Sequence, residues 1–283
     1  EHFCKKPESR KDRRIRVDDS KRVKTGVRGH RELERTALTL WYATHGALPA
    51  SLGDFLRASE NCADLTRYPW YREIDDCPLP RWQERDALEL EALLAARSFE
   101  RAGLRALAYP FHVVDVSKFN ALIRKHDNKG RTLFDAGVPV LRACMLSTQV
   151  YRKDSEMPTT PATLVADRHG ARGHYARLLE RALPGVAITP IHEAARISRY
   201  RLGENTEVIF TENGEDRAFP CAAASCLAKY ARELCIDRLN AFVAQKRSEI
   251  KPTAGYWTDG KRFLDDMGPL RATVPEDLLV RIR

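Results

Sequence analysis

Apolar and polar positions along the chain follow helical and strand-like periods, and these predict alternating elements after residue 30. Apolar residues spaced three and four apart predict helices over 31–46 and 84–103, each of which ends at a glycine. The same spacing predicts further helices over 137–151, 174–183 and 221–246. The segment 251–267 is expected to start as a loop and to lead into a last helix.

Short apolar runs between these helices predict strands, and the alternation of the two kinds of element sets the fold class. The predicted strands are 111–116, 162–167, 186–194, 198–202 and 206–213. Ser117 is predicted to cap a helix that begins near Lys118. Strands that alternate with helices indicate an α/β protein with a mixed sheet flanked by helices.

Two segments at the start of the chain differ from this pattern. Residues 1–30 are very basic, and the simplest interpretation is a solvated, partly disordered arm that contains the sequence Asp-Ser-Lys. Residues 47–83 are rich in aromatic residues and proline, so we interpret 47–103 as a helical or irregular insertion. The rest of 31–283 is then expected to form one domain.

Charge indicates the chemical class of the partner. The chain has 283 residues, 43% of them hydrophobic and 31% charged, with a formal net charge of +9 and a pI near 9.3. The hydrophobic content is enough for a sizeable core. The excess of positive charge favours a polyanionic partner, nucleic acid first, although a basic protein without such a partner remains an alternative.

Cysteine usage and hydropathy indicate the cellular setting. The seven cysteines are odd in number and form no C-x-x-C motif, so they predict neither a disulfide framework nor a zinc site. Cys221, Cys226 and Cys235 are expected in the core of an Ala-rich helix. No apolar run is long enough for a membrane span and no signal peptide is visible, so we expect a cytoplasmic protein, and a monomer. Because residue 1 is Glu, either the chain is processed or its beginning is missing.

The sequence LVADRHGARGHY, residues 164–175, places a carboxylate at the end of an apolar strand and cations directly after it. Open α/β sheets bind ligands at the carboxyl ends of their strands, so Asp167 is a candidate site residue. The alternative is that Asp167 caps the turn that follows it.

A second acidic stretch strengthens the functional interpretation of Asp167. Glu212, Glu215 and Asp216 follow the strand 206–213 and precede a long helix. Carboxylates from two strand ends can share a divalent cation, because Mg²⁺ prefers oxygen ligands and keeps several waters. Two such ions can stabilise the attacking and leaving oxygens of a phosphodiester.

Basic and aromatic residues suited to nucleic acid surround these acids in the sequence. Tyr256 lies in a loop with glycine and could stack on a sugar or base. The cations suited to phosphate are Lys21, Arg168, Arg172, Lys229, Lys251 and Lys261. This set is typical of a nuclease, and the competing interpretation is a set of solvated surface charges with a packed tyrosine.

The order of motifs resembles that of type 2 ribonuclease H (ribonuclease HII), in a long and divergent bacterial form. The motifs that carry the resemblance are VDDSK (17–21), SKFNALI (117–123), LVADRHG (164–170), GEDRAFPCAAASCLAKYARE (214–233) and KPTAGYWT (251–258). Each is short, and AAASCLAK followed by AGYWT is the most specific combination.

The resemblance implies a ribonuclease H-like fold and endonucleolytic cleavage of the RNA strand in RNA–DNA hybrids, dependent on Mg²⁺ or Mn²⁺. It implies that Asp167 and Glu215 are catalytic, metal-binding carboxylates, with Glu215 standing where the family has its last catalytic Asp. The residues expected to hold the substrate are Ser20, Lys21, Arg172, Ser225, Lys229 and Tyr256.

One departure from the family bears on activity. The family begins with a strand that carries Asp-Glu-Ala-Gly-x-Gly-Pro and supplies half of a four-carboxylate site, and no counterpart precedes Asp18. The first strands of the fold are therefore expected to be missing from this chain, and we expect little or no cleavage by the 283-residue chain alone. A non-catalytic nucleic-acid-binding homologue and another metal-dependent nuclease or phosphotransferase on the same fold are the alternatives.

Overall fold

A computed structural model of the chain describes residues 2–9, 11–59, 62–154 and 161–282. A mixed sheet of four strands lies in its second half: β3 (Ala162–Asp167), β4 (Ile188–Glu193), β5 (Ile197–Leu202) and β6 (Thr206–Thr211), following the short strands β1 (Phe3–Cys4) and β2 (Ile15–Arg16). The strand order is β3-β6-β5-β4. β3 is parallel to β6, whereas β5 is antiparallel to both of its neighbours. The α/β class and the mixed sheet are confirmed.

One face of the sheet is buried because apolar side chains alternate with polar ones along β5 and β6. Tyr200, Val208 and Phe210 point into an apolar cluster. Two helices cover that face, α6 (Lys129–Asp154) and α7 (Ala176–Ala182), and both contribute apolar side chains to the cluster. The ring of Tyr175 stacks on Phe210 with ring centroids 3.8 Å apart.

The remaining helices are α1 (Ser20–Val23), α2 (Gly29–His45), α3 (Leu52–Arg57), α4 (Arg85–Arg101), α5 (Val116–His126), α8 (Gly214–Arg217), α9 (Phe219–Lys246), α10 (Trp257–Met267) and α11 (Glu276–Leu279). Of these, α1, α2, α3, α4 and α9 supply most of a second, larger apolar core, whereas α10 packs against the end of α9 in a separate cluster. The predicted helices over 31–46, 84–103, 137–151, 174–183 and 221–246, and the last helix, are confirmed. Between Arg57 and Arg85 the chain makes two 3-10 helices, Cys62–Arg67 and Pro69–Tyr71.

The segment between α3 and α4 packs into the larger core. Tyr68, Trp70 and Tyr71 belong to the same apolar cluster as residues of α2 and α9. Glu34 of α2 is fully buried, and its carboxylate accepts the backbone N–H groups of Arg81 and Trp82, each at 2.7 Å. Residues 47–103 therefore help to hold α2 against α9.

The predicted strand over 111–116 is wrong. Residues 104–115 form no strand, and Phe111 packs on Phe55 with ring centroids 5.0 Å apart, as part of the helical core. The apolar residues of this run fill space between helices. Their pattern is like that of a buried strand, but no neighbouring strand among the described residues pairs with them. Ser117 is also not the cap of α5, because Asp115 Oδ1 accepts the backbone N–H of Lys118 at 2.9 Å.

The basic N-terminal segment is partly built into the fold. β1 and β2 pair in parallel, and Ile15, Val17 and Val23 are buried against the helices. The interpretation of residues 1–30 as a solvated arm is therefore wrong for these apolar positions. In the described part of the chain, no helix is both long and apolar enough to cross a membrane. All seven cysteines are free thiols, and Cys226 is fully buried as expected.

Candidate active site

Asp167 ends β3 at the carboxyl edge of the sheet, beside the turn that joins β6 to α8. That turn is sharp, since Asn213 adopts a left-handed conformation at φ 53°, which Asn tolerates better than most residues. Asp167 Oδ1 accepts the backbone N–H of Gly214 at 3.3 Å, and the Asp167 side chain is otherwise open to solvent. The first residue of α8, the helix that follows the neighbouring strand β6, thus orients the Asp167 carboxylate.

Glu215 follows Gly214 directly, in the first turn of α8. The Cys221 thiol at the start of α9 lies beside both carboxylates, and burial, followed by the charges of Glu215 and Asp167, raises the pKa of that thiol to about 11. Neither carboxylate forms an ion pair within the described ranges. Both carboxylates therefore lie near the Cys221 thiol, and within the described residues neither has a cationic partner.

The other acids of this stretch are engaged elsewhere. Asp216 accepts Lys5 at 2.6 Å and Arg22 at 2.9 Å, and hydrogen bonds from Arg22 and then Lys5 lower its pKa to about 2. Glu212 pairs with Arg168. Asp216 is thus not a free substitute for Glu215, and Arg168 is not a free phosphate-binding cation.

The Asp-Ser-Lys segment meets α9 next to the carboxylates. Asp19 caps α1 by accepting the backbone N–H of Lys21 at 2.9 Å, and this places Ser20 against α9. The Ser225 hydroxyl donates to the Ser20 hydroxyl at 3.0 Å. Ser20 and Ser225, 205 residues apart in sequence, are therefore one contact, and Lys21 next to them is exposed to solvent.

Lys229 and Tyr256 form the next contact along α9. Lys229 Nζ donates to the Tyr256 hydroxyl at 2.8 Å, and this hydrogen bond lowers the pKa of the phenol. The Arg232 guanidinium lies 4.7 Å from the centroid of the Tyr256 ring. Tyr256 is 56% exposed, so one face of its ring is available for stacking.

A buried carboxylate that the sequence analysis missed holds these cations. The Glu233 side chain is 6% exposed and lies 2.6 Å from Lys24, 2.9 Å from Lys229 and 3.0 Å from Arg232. Burial raises the pKa of Glu233, but hydrogen bonds from Lys24 and Lys229 outweigh burial and lower the pKa to about 2. The spacing of Lys229 and Glu233, four apart on a predicted helix, was the available signal.

These contacts lie along one face of α9. At 100° per residue, Cys221, Ser225, Lys229 and Arg232 fall within about 80° of rotation, and at a rise of 1.5 Å they extend over about 16 Å. We call this row the α9 stripe. It starts at the carboxylate pair and ends under Tyr256, so its length corresponds to roughly five nucleotides of a duplex strand at 3.4 Å each.

Arg172 does not lie on the α9 stripe. It lies in the loop after Asp167, and its neighbours are His169, Gly130 at the start of α6, and His174. Of the predicted substrate residues, Ser20, Ser225, Lys229 and Tyr256 cluster along α9, whereas Arg172 marks a separate surface.

The donor set fits a hard divalent cation. Among the described residues, no group of three or more His, Cys, Asp or Glu side chains is placed to hold a metal ion. Mg²⁺ nevertheless binds through one or two carboxylates together with waters and substrate phosphates. Asp167 and Glu215, which both lie near the Cys221 thiol and have no cationic partner among the described residues, match the one or two carboxylates of that requirement.

Substitution of Gly214 tests how closely the start of α8 packs against Cys221. A Cβ at Gly214 would lie 2.7 Å from Cys221 Sγ, so Gly214→Ala is expected to destabilise the protein by about 1–3 kcal/mol. Cys221→Ala removes that sulfur and should recover much of the loss in a double-mutant cycle followed by urea unfolding. Gly137→Ala is the control, since a Cβ there meets nothing within 4 Å. Equal losses with and without the sulfur would contradict the contact.

Comparisons of the chain with protein-family models, with curated proteins and with solved structures give no match.

Proposed function

We propose that this protein is a metal-dependent endonuclease that cleaves the RNA strand of RNA–DNA hybrids, with Asp167 and Glu215 as its metal-binding carboxylates. The observation that carries the proposal is the placement of two unpaired carboxylates at the start of a helix face that continues through Ser225 and Lys229 to Tyr256. Residues of four short motifs that are far apart in sequence contact one another along this row.

Each part of the row has a role in the proposed reaction. Bound Mg²⁺ or Mn²⁺ would supply charge neutralisation at the scissile phosphate and would lower the pKa of an attacking water. Asp167 and Glu215 would hold it, with the Gly214 N–H fixing the orientation of Asp167. Lys229 is paired with Glu233 and would act mainly by holding Tyr256 in place, whereas the exposed Lys21, next to the Ser20–Ser225 pair, would be the cation available to a phosphate.

Tyr256 lies at the end of the row, where a sugar or base can stack on it. Its hydroxyl is held by Lys229 and its ring by Arg232, so the aromatic plane is fixed before a substrate binds. Contact with the 2′-hydroxyl of a ribose is how a protein distinguishes RNA from DNA at a given nucleotide. We therefore assign Tyr256 to the sugar at the junction.

The edge of β3 is relevant to the acidic pair that the resemblance implies. Within the described residues β3 is hydrogen-bonded to β6 alone, and its other edge is unpaired next to Asp167. A strand that carried an Asp-Glu pair could pair there and would bring its acids to Asp167. The chain by itself supplies two carboxylates, which supports the alternative function, binding of nucleic acid without cleavage.

Cleavage of matched substrates separates these functions. The protein as isolated from its source, with its N-terminus established by intact mass, is incubated with Mg²⁺ or Mn²⁺ and with hybrid, duplex DNA and duplex RNA. We expect cuts in the RNA strand of the hybrid alone. Salt-dependent binding of all three without any cleavage would overturn the nuclease proposal in favour of the binding protein. Cleavage of duplex DNA would instead indicate another metal-dependent nuclease, one that does not require a hybrid.

Substitution of Tyr256 tests the stacking role. Tyr256→Ala is expected to weaken hybrid binding by about 1–3 kcal/mol, as is typical when a stacked aromatic ring is removed, whereas Tyr256→Phe keeps the ring and should bind within a few-fold of the unaltered protein. Fluorescence anisotropy with a labelled hybrid measures both. A loss as large in Tyr256→Phe as in Tyr256→Ala would assign the effect to the hydroxyl instead.

A further inference from the structure

The loop after Asp167 separates the carboxylate pair from a second surface. Residues 169–174 and the start of α6 line a depression of about 670 Å³, and an adjoining depression of about 610 Å³ continues along α7. Arg172 and His174 line both. We call the two together the basic groove.

Five cations line the basic groove, and none of them has a partner. Within the described residues their side chains form neither an ion pair nor a hydrogen bond, in contrast to Arg168 and Arg199 on the same sheet. They are Lys129, Arg131, Arg172, Arg177 and Arg181. The carboxylate of Glu193 also lines the groove, but His174 at 2.9 Å and the Tyr200 hydroxyl already occupy it.

Two of these arginines have a buried guanidinium N–H group that forms no hydrogen bond within the described residues. The Nε atoms of Arg131 and Arg172 are inaccessible to solvent and lack an acceptor. An unsatisfied charged donor is costly, and phosphate oxygens satisfy guanidinium groups well. The start of α6 lies against the loop, since a Cβ at Gly130 would be 3.7 Å from the His169 carbonyl oxygen and 3.8 Å from Arg172 Nη2, both ordinary van der Waals contacts. The start of α6 and the loop thus present their cations to one side.

We propose that the basic groove binds the sugar–phosphate backbone of the nucleic acid away from the cleavage position, as a second contact beyond the α9 stripe. This inference rests on the nucleic-acid binding in the proposed function. The cations favour a strand over a small anion because they are spread along the groove. Arg177 and Arg181, four residues apart on α7, are about 6 Å apart along the helix axis.

Salt dependence of binding tests the basic groove without any need for cleavage. Binding of a labelled RNA–DNA hybrid by the 283-residue chain is measured in the absence of metal, between about 50 and 200 mM salt. Arg177→Gln/Arg181→Gln changes two exposed side chains and should not affect folding. Arg131→Gln/Arg172→Gln changes the partly buried pair. The control is Arg97→Gln/Arg105→Gln, which removes the same charge from two exposed arginines that form no described ion pair and lie outside the groove.

We expect each groove variant to reduce the slope of log K against log salt by up to about 2 and the affinity about tenfold, while the control changes neither. Equal losses in groove and control variants would overturn the inference, because only net charge would then matter. Competition by inorganic pyrophosphate that depends on the groove arginines, with hybrid binding unaffected by them, would show a small-anion site and also overturn it.

The two proposals fail separately. If the salt dependence of binding depends on the groove arginines but the protein cuts no hybrid, the basic groove is supported and the nuclease function is excluded. Hybrid cleavage by a protein whose binding ignores all four groove arginines would keep the nuclease function and remove the basic groove.

Discussion

Asp167→Asn is expected to lower hybrid cleavage by the source-isolated protein at least about a thousandfold while hybrid affinity changes little. The amide keeps the size of the side chain and can still accept the Gly214 N–H, so the turn after β6 should hold. It removes a charged metal ligand, and the several kcal/mol of transition-state stabilisation that a metal supplies correspond to a loss of that size. Single-turnover cleavage and anisotropy measure the two quantities.

The neighbouring carboxylate provides the matched control. Asp216→Asn makes the same chemical change two residues beyond Gly214, but Asp216 is occupied by Lys5 and Arg22. We expect its cleavage rate to stay within a few-fold of the unaltered protein. Turnover that survives in Asp167→Asn, or that is lost equally in Asp216→Asn, would remove the assignment of Asp167 to the metal.

Metal binding gives a readout that does not depend on activity. Mn²⁺ titration of the 283-residue chain, followed by electron paramagnetic resonance, should show weaker binding in Asp167→Asn and in Glu215→Gln than in Asp216→Asn. Equal binding by all three variants would place the metal elsewhere.

Glu233→Gln is expected to destabilise the protein by on the order of 3 kcal/mol at pH 7. The carboxylate pKa is about 2 in the folded protein and near its ordinary value of 4.5 when unfolded, so the ionised form favours folding. That stability is fully present above pH 4.5 and is lost as the pH falls toward 2. The amide also leaves Lys24, Lys229 and Arg232 without their common partner.

Urea unfolding as a function of pH measures this effect. The difference between Glu233→Gln and the unaltered protein should be largest near pH 7 and should shrink steadily below pH 4.5. Glu249→Gln is the control, because its carboxylate pairs with Arg247 at the surface, where ion pairs contribute little. A difference that stays constant from pH 7 to pH 2 would assign the loss to packing and not to charge.

The elements of this fold were largely predictable because most of them are local and strongly periodic. The long helix over 221–246 and the strands around β5 and β6 carry their own hydrophobic pattern. The run 111–116 was misassigned because its apolar residues pack between helices that the local pattern cannot specify. Phe111 next to Phe55 is a consequence of tertiary packing.

The candidate site was predictable only in part, for the same reason. The contact of Asp167 with the turn that carries Gly214 and Glu215 follows from the parallel strands β3 and β6, whose carboxyl ends share an edge. The groove arginines come from α6, the loop after β3 and α7, and nothing in the sequence shows that Arg131 and Arg172 face one depression. Glu233 was hidden because two of its partners, Lys24 and His30, are about 200 residues away in sequence.

The continuity of α9 has a consequence for the products of the proposed reaction. Its residues between Cys221 and Arg232 form one uninterrupted stretch of helix, anchored by Cys226, Leu227 and Tyr230 in the apolar core. A rigid spacer of this kind fixes how many nucleotides separate the stacked residue on Tyr256 from the bond that is cut. If the proposed cleavage takes place, the cut should therefore keep the same distance from the nucleotide stacked on Tyr256 in every sequence context.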